Sequence, residues 1–541
     1  MKKLAYLGPI AVVLGVVFIT SAATKAPVRV LEMVAPEQVN DDLQAAVAEV
    51  DGHLRRRWED VGLIPSKSTD ELTVLRRLSL ALHGTIPSLE EIRLFEQDTR
   101  ADRLLHWTAG MLEDPRFFDY FAERLARSFV GVEQGQFLLF RRDRFLHWLS
   151  EELKSHTPYD EIVRQMITGE GVWTGEGEVN FLTSGYADGE FDPNKLAARS
   201  VRAFLGQRID CAQCHDHPFD HWKQSEFEGL AAHFGKISIN PLAGVFDNPK
   251  ETFTVEDRLT LEEREVSPEV PFSPEWQGET KASRERLANW ITHTDNQRFE
   301  RAIANRVWGL LFGTPYVMHR PVDDLPDPDP ETDDLLDILG RDFRAHGCDL
   351  RRLIQVIAAS DVYRLSSANP LDDGADESAQ QLELARDRWA VFPLIRLRPE
   401  QVIGAMLQAN NVHTIDQNSH LITRTLRFFR ERDFVDEFGD PGVDELQERS
   451  GTIPQALLRM NGKFAGELTE ANPFGAPGRI NLSASTPEKV IETAYLMTLT
   501  RRPQEEEVAF FREWIDTEQR AKGIEDLFWT LFNSPEFSWN H

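Results

Sequence analysis

The run Cys211-Ala212-Gln213-Cys214-His215 is the most specific chemical pattern in the chain. Two thiols separated by two residues can add across the two vinyl groups of a porphyrin, and an imidazole directly after them can hold the iron from one side. The pattern predicts covalent haem c, with Cys211 and Cys214 as thioether anchors and His215 as the proximal iron ligand. The same residues support two other chemistries. Cys211 and Cys214 could close a structural or redox-active disulfide. Cys211, Cys214, His215, His217 and His221, with Asp216 and Asp220 between them, also offer the donors of a non-haem zinc or iron site in a scaffold or binding protein.

In the haem reading the sixth iron position decides the chemistry. A methionine there raises the reduction potential, a second histidine lowers it, and an open position permits ligand binding or peroxide chemistry. His233, Met318, His319 and His346 are candidates for it. His217 and His221 follow His215 too closely to reach the opposite haem face easily and are assigned hydrogen-bonding roles beside the ligands. No catalytic residue is assigned, and whether the protein is an enzyme stays open.

Other patterns carry less. Gly169, Gly171, Gly175 and Gly177 miss the dinucleotide-binding spacing because Thr174 takes the sixth position, and Glu170, Glu176 and Glu178 would repel phosphate. This stretch reads as a mobile acidic loop. Asp323, Asp324, Asp327, Asp329, Asp333 and Asp334 could gather calcium, but the prolines among them and the missing glycine and glutamate spoil an EF-hand. They read better as a solvated loop ending in a helix cap. Cys348, near His346, reads as a buried free thiol.

The elements that must position these residues are helices. Asp70 can cap a helix with Leu75, Leu78 and Leu82 on one face, and Ser88 with Glu91 makes a capping box for the next. Phe145, Trp148 and Leu149 stripe a further segment. Asp192-Pro193 opens a helix with Ala197, Val201, Phe204, Leu205 and Ile209 aligned, which should run to the cysteines. Ser225 can start another with Phe227, Leu230, Ala231 and Phe234 inward. From Gly235 to Glu279 no helical stripe persists. Helices resume after Lys281 with Ile303, Val307, Leu310 and Leu311, a Pro- and Asp-rich loop spans Pro321 to Pro330, Thr486-Pro487 starts a late helix, and Ile524 to Phe532 forms the last.

The fold expected is mainly α, a multi-helical two-domain protein with a loop-rich insert and little β. Its parts are a signal peptide or signal anchor at 1–23, a linker at 24–45, a helical domain at 46–240 ending in the cysteine segment, the insert at 241–280 and a helical C-terminal domain at 281–541. The chain's 541 residues allow two or three domains, and its 33 Phe and 12 Trp supply ample apolar mass.

Lys2 and Lys3 precede an almost uninterrupted apolar run from Leu4 to Phe18, with small residues at Ser21 and Ala23. That is the form of an export signal, long enough to serve instead as a single N-terminal membrane anchor. An extracytoplasmic location suits haem attachment, and three cysteines are too few for a disulfide framework. With 89 acidic against 60 basic residues, the formal charge of −29 argues against nucleic acid as a partner.

The residues also resemble a known family. The run from Cys211 to Trp222, reading CAQCHDHPFDHW, with Leu230 to Phe234, is similar to the hallmark of large exported proteins abundant in planctomycetes. Those are built from domains of unknown function fifteen forty-nine and fifteen fifty-three, also described as planctomycete cytochrome-associated domains. Leu75 to Leu80 with Gly84, Pro87 and Glu90 looks like the family's opening. Asn305 to Trp308 with Phe312-Gly313 and Pro321 to Asp324 looks like the start of its second domain, and Pro454 to Leu457 with Asn461, and Asn533 to Phe537 with Asn540-His541, resemble its end. The resemblance covers nearly everything from about residue 45 onward. It implies extracytoplasmic electron transfer with a redox partner protein, or oxidative attack on an extracellular polymer. Relatives often carry a separate cytochrome module ahead of these domains; here the chain runs from its signal into the first domain, so the haem is expected at Cys211 to His215 itself.

Overall fold

The computed structural model describes residues 41–541, apart from 134–139, 188–189, 241–242, 257–260, 330, 369–375, 474, 516–518 and much of 418–450. The expected signal at 1–23 and most of the linker lie outside the described residues. The protein is mainly α-helical, with small antiparallel strand pairs. Among the described residues no helix is long and apolar enough to cross a membrane.

Local signals set the helix ends. Asp70 accepts hydrogen bonds from the Leu72 and Thr73 amides to start Glu71–His83, and Gly84 closes that helix in the left-handed conformation. Ser88 and Glu91 form the capping box of Leu89–Gln97. Asp192 caps Pro193–Leu205, whose Pro193 occupies the first turn.

The helix Pro193–Leu205 does not run to the cysteines. Gly206 adopts a φ of 63° and stops it after Leu205, and a separate 3₁₀ turn, Asp210–Gln213, carries Cys211. The following helix spans Gln224–Ala232 from a cap at Lys223, so Ser225 lies inside its first turn. The last long helix, Arg520–Asn533, is longer than its apolar stripe and is followed by a short turn at Pro535–Ser538.

The stretch after Gly235 contains strands. Ile237–Asn240 pairs with Gly244–Asp247, and Thr254–Glu256 with Glu263–Glu265. The acidic glycine segment is tied to the first of these hairpins: the Gly171 amide donates to the Val245 carbonyl at 3.0 Å, and the Gly171 carbonyl accepts from the Val245 amide at 2.8 Å. It is an anchored bridge rather than the mobile loop its composition predicts.

The helix Gln297–Phe312 is buried from Phe299 to Phe312. Asn305 in its middle donates to the Val322 carbonyl and accepts from the Val317 amide, which pins the following loop. One apolar core is built mainly from Leu43 to Phe392, joined by Leu446 and Leu496, and takes in helices from both sides of the insert; a second is built mainly from Leu397 to Phe537. Arg76 and Arg77 join them from one helix. Arg76 donates to the carbonyls of Thr498 and Phe537, while Arg77 donates to those of Tyr363, Leu365 and His541. Arg124 adds an ion pair across the same boundary, 2.7 Å from Glu400.

Candidate functional site

The Cys/His segment is a surface turn held at two points. Ala212 and Trp222 are buried, and between them Cys214, His215, Asp216, Phe219, Asp220 and His221 are exposed while His217 is half-buried. The His217 amide donates to the Trp222 carbonyl at 2.7 Å, and the Gln224 amide to the Asp216 carboxylate at 2.9 Å. These bonds and the buried indole fix the loop while leaving its chemical groups outward.

Cys211 and Cys214 are both exposed and neither is in a disulfide. The His215 Nδ1 lies 2.7 Å from the Asp216 backbone carbonyl. A carbonyl only accepts, so this contact puts the ring proton on Nδ1 and leaves the Nε2 lone pair free to bind iron. His217 is set the other way: its Nδ1 accepts from the Phe219 amide at 3.3 Å, which places its proton on Nε2. His221 lies 2.7 Å from Asp220 and stacks on Trp222 with ring centres 4.6 Å apart. Two exposed cysteines outside any disulfide and one suitably oriented imidazole on a single turn fit the donors that haem c requires.

Among the described residues no three His, Cys, Asp or Glu side chains gather as a metal-binding group.

The candidates for a sixth ligand are engaged elsewhere. His233 is fully buried with Nδ1 2.7 Å from the Ser283 carbonyl, and burial pulls its pKa down to about 4. His346 is held by both ring nitrogens, against the Asp342 carbonyl at 2.7 Å and the Asp42 carboxylate at 2.8 Å. His319 is exposed beside Asp387 at 3.1 Å, and Met318 packs partly buried on the first core.

The acidic loop lies beside the turn. The Leu325 amide donates to the Gly206 carbonyl, Gln207 donates back to the Leu325 carbonyl, and Asp327 comes within 3.9 Å of His221. Four of its six carboxylates pair with arginines: Asp323 with Arg208 at 2.7 Å, Asp327 with Arg298 at 2.7 Å, Asp333 with Arg341 at 2.7 Å and Asp334 with Arg301 at 2.9 Å. Asp329 closes a local turn onto Thr332. Asp334 also caps Leu335–Ala345, as its position predicts. Sequence reasoning missed this arginine pairing because Arg208, Arg298 and Arg301 come from segments well before the loop, which only the fold brings beside it.

Residues 49–238 match the model of PSCyt2, a protein of unknown function (DUF1549), and residues 283–515 match that of PSD1, a protein of unknown function (DUF1553). The chain belongs to the proteins that carry these two domains in tandem. Neither the curated proteins nor the solved structures contain a match to it. In this DUF1549–DUF1553 protein the Cys/His turn closes the first matched region and the acidic loop belongs to the second, so the candidate site sits where the two meet.

Proposed function

We propose that the protein is an exported c-type haem protein that transfers electrons outside the cytoplasm. The observation that carries this reading is the exposed turn on which Cys211, Cys214 and His215 all face outward, with His215 Nδ1 held by the Asp216 carbonyl. Attachment needs no oxidant: each thiol forms a sulfur–carbon bond to a vinyl group, and a proton goes to the other vinyl carbon. Bound haem would supply one-electron redox chemistry.

The chain's own residues account for the rest. The Asp216 carbonyl orients His215 and raises its basicity as a ligand. Phe219, 93% exposed four residues after His215, gives the turn an apolar surface that a macrocycle or partner could cover. A redox partner protein or an oxidisable polymer would exchange electrons at this face. The N-terminal apolar run supports export.

The test is a pyridine haemochrome spectrum on protein exported by a host with c-type maturation machinery, beside a Cys211→Ala/Cys214→Ala control. A c-type α-band that survives acid–acetone extraction and vanishes in the control is expected. Protein without porphyrin but with stoichiometric zinc or iron would replace this reading with the Cys/His metal site.

A further inference from the structure

We propose that a pocket of about 360 Å³ on the C-terminal core, lined by Arg396 and Arg459, binds the oxyanion group of a small ligand: a phosphate, sulfate or carboxylate. The pocket is remote in sequence from the Cys/His turn and independent of the haem reading.

Several arginines elsewhere in this acidic chain are matched to carboxylates, while Arg76 and Arg77 donate to backbone carbonyls. Arg116 holds Glu91 and Asp114, Arg301 holds Asp334 and Asp337, and Arg501 holds Glu507 and Glu536. In the pocket two arginines stand together without a carboxylate partner among the described residues. It is lined by Arg396, Arg459, Thr452, Ser538, Asn533 and Trp539 among others, with no acidic side chain among its described lining residues. The Arg396 guanidinium makes no hydrogen bond to any described residue. Arg459 donates to the Ser538 hydroxyl, while its Nε is buried without a partner. Arg459 is disfavoured as a cation both by burial and by the neighbouring charge of Arg396.

Two like charges held together at a partly buried site cost stability unless something of opposite charge joins them. An oxyanion relieves both costs, because guanidinium groups present paired N–H donors that match two oxygens of one carboxylate, phosphate or sulfate. Thr452 brings a second contribution. It caps the nine-residue helix Ile453–Asn461, whose positive dipole end therefore faces the same pocket. Trp539 and Ile453 give the cavity apolar walls, so the anionic group can belong to an organic molecule.

Isothermal titration of the full chain with inorganic phosphate, sulfate and acetate, at ionic strength held constant with chloride, tests the proposal. Saturable one-to-one binding of at least one probe is expected, and the tightest identifies the group. Arg396→Gln should weaken that binding at least tenfold; because Arg396 makes no side-chain hydrogen bond to any described residue, this variant should keep its fold by circular dichroism. Arg396→Gln/Arg459→Gln should abolish binding. No saturable binding by the wild type, or unchanged affinity in folded Arg396→Gln, would overturn the proposal.

Discussion

The protein places the same chemical groups in two environments, the Cys/His turn and the interior. Cys211, Cys214, His215 and His221 are exposed, whereas Cys348, His83 and His233 are buried. Burial pushes the Cys348 thiol up to about 12 and pulls His83 and His233 down to about 4. Low dielectric keeps all three neutral, which suits packing and removes nucleophilic and proton-carrying ability. Residue type therefore nominates a site, but exposure decides which thiols and imidazoles can do chemistry.

Alkylation gives the largest separation between the two environments. At pH 8 a thiol with a pKa near 12 is roughly 10⁻⁴ thiolate, against about a quarter for an ordinary cysteine. In haem-free native protein, iodoacetamide should label Cys211 and Cys214 while Cys348 reacts more than about 10³-fold slower until the chain is unfolded. Comparable labelling of all three, read by peptide mass spectrometry, would break the comparison.

Buried charge comes next. Arg124→Ala would leave Glu400 without its 2.7 Å partner across the two cores and should cost about 3–5 kcal/mol in denaturant unfolding. A loss below about 1 kcal/mol would mean that Arg398, 2.9 Å from the same carboxylate, suffices alone.

Acid should unfold the interior through its histidines. An unfolded histidine titrates near 6.5, so the native state binds fewer protons than the unfolded state between pH 6.5 and 4. Stability is then complete above about pH 7 and falls as pH drops through this window, by up to about 3 kcal/mol for each of His83 and His233. His83→Asn/His233→Asn should flatten the urea midpoint between pH 7 and 5, and an undiminished slope would contradict the assignment. By contrast His217→Gln and His221→Gln should each shift haem-free stability by less than about 0.5 kcal/mol, measured by the same urea titration.

Much of the local architecture is legible in the sequence. Asp70, Ser88, Asp192, Asp334 and Thr486 all start helices where their types and the following apolar periods predict. The Gly235 to Glu279 stretch is less readable, because hairpins as short as Thr254–Glu256 with Glu263–Glu265 contain too few alternations to stand out. Gly206 ended a helix whose apolar stripe continues to Ile209, since a left-handed cap overrides periodicity.

What the sequence by itself determined is the mainly helical fold, the presence of two tandem domains and a short cysteine–histidine run, because caps, periods and motif spacing are local properties of the chain. Tertiary structure alone decided that four carboxylates of the Asp loop pair with arginines, that His233 and His346 are occupied, and that Arg396 and Arg459 line one pocket with no acidic side chain among its described residues. Those outcomes depend on which distant helix faces pack together, and packing brings charges into contact without leaving a periodic mark in the sequence.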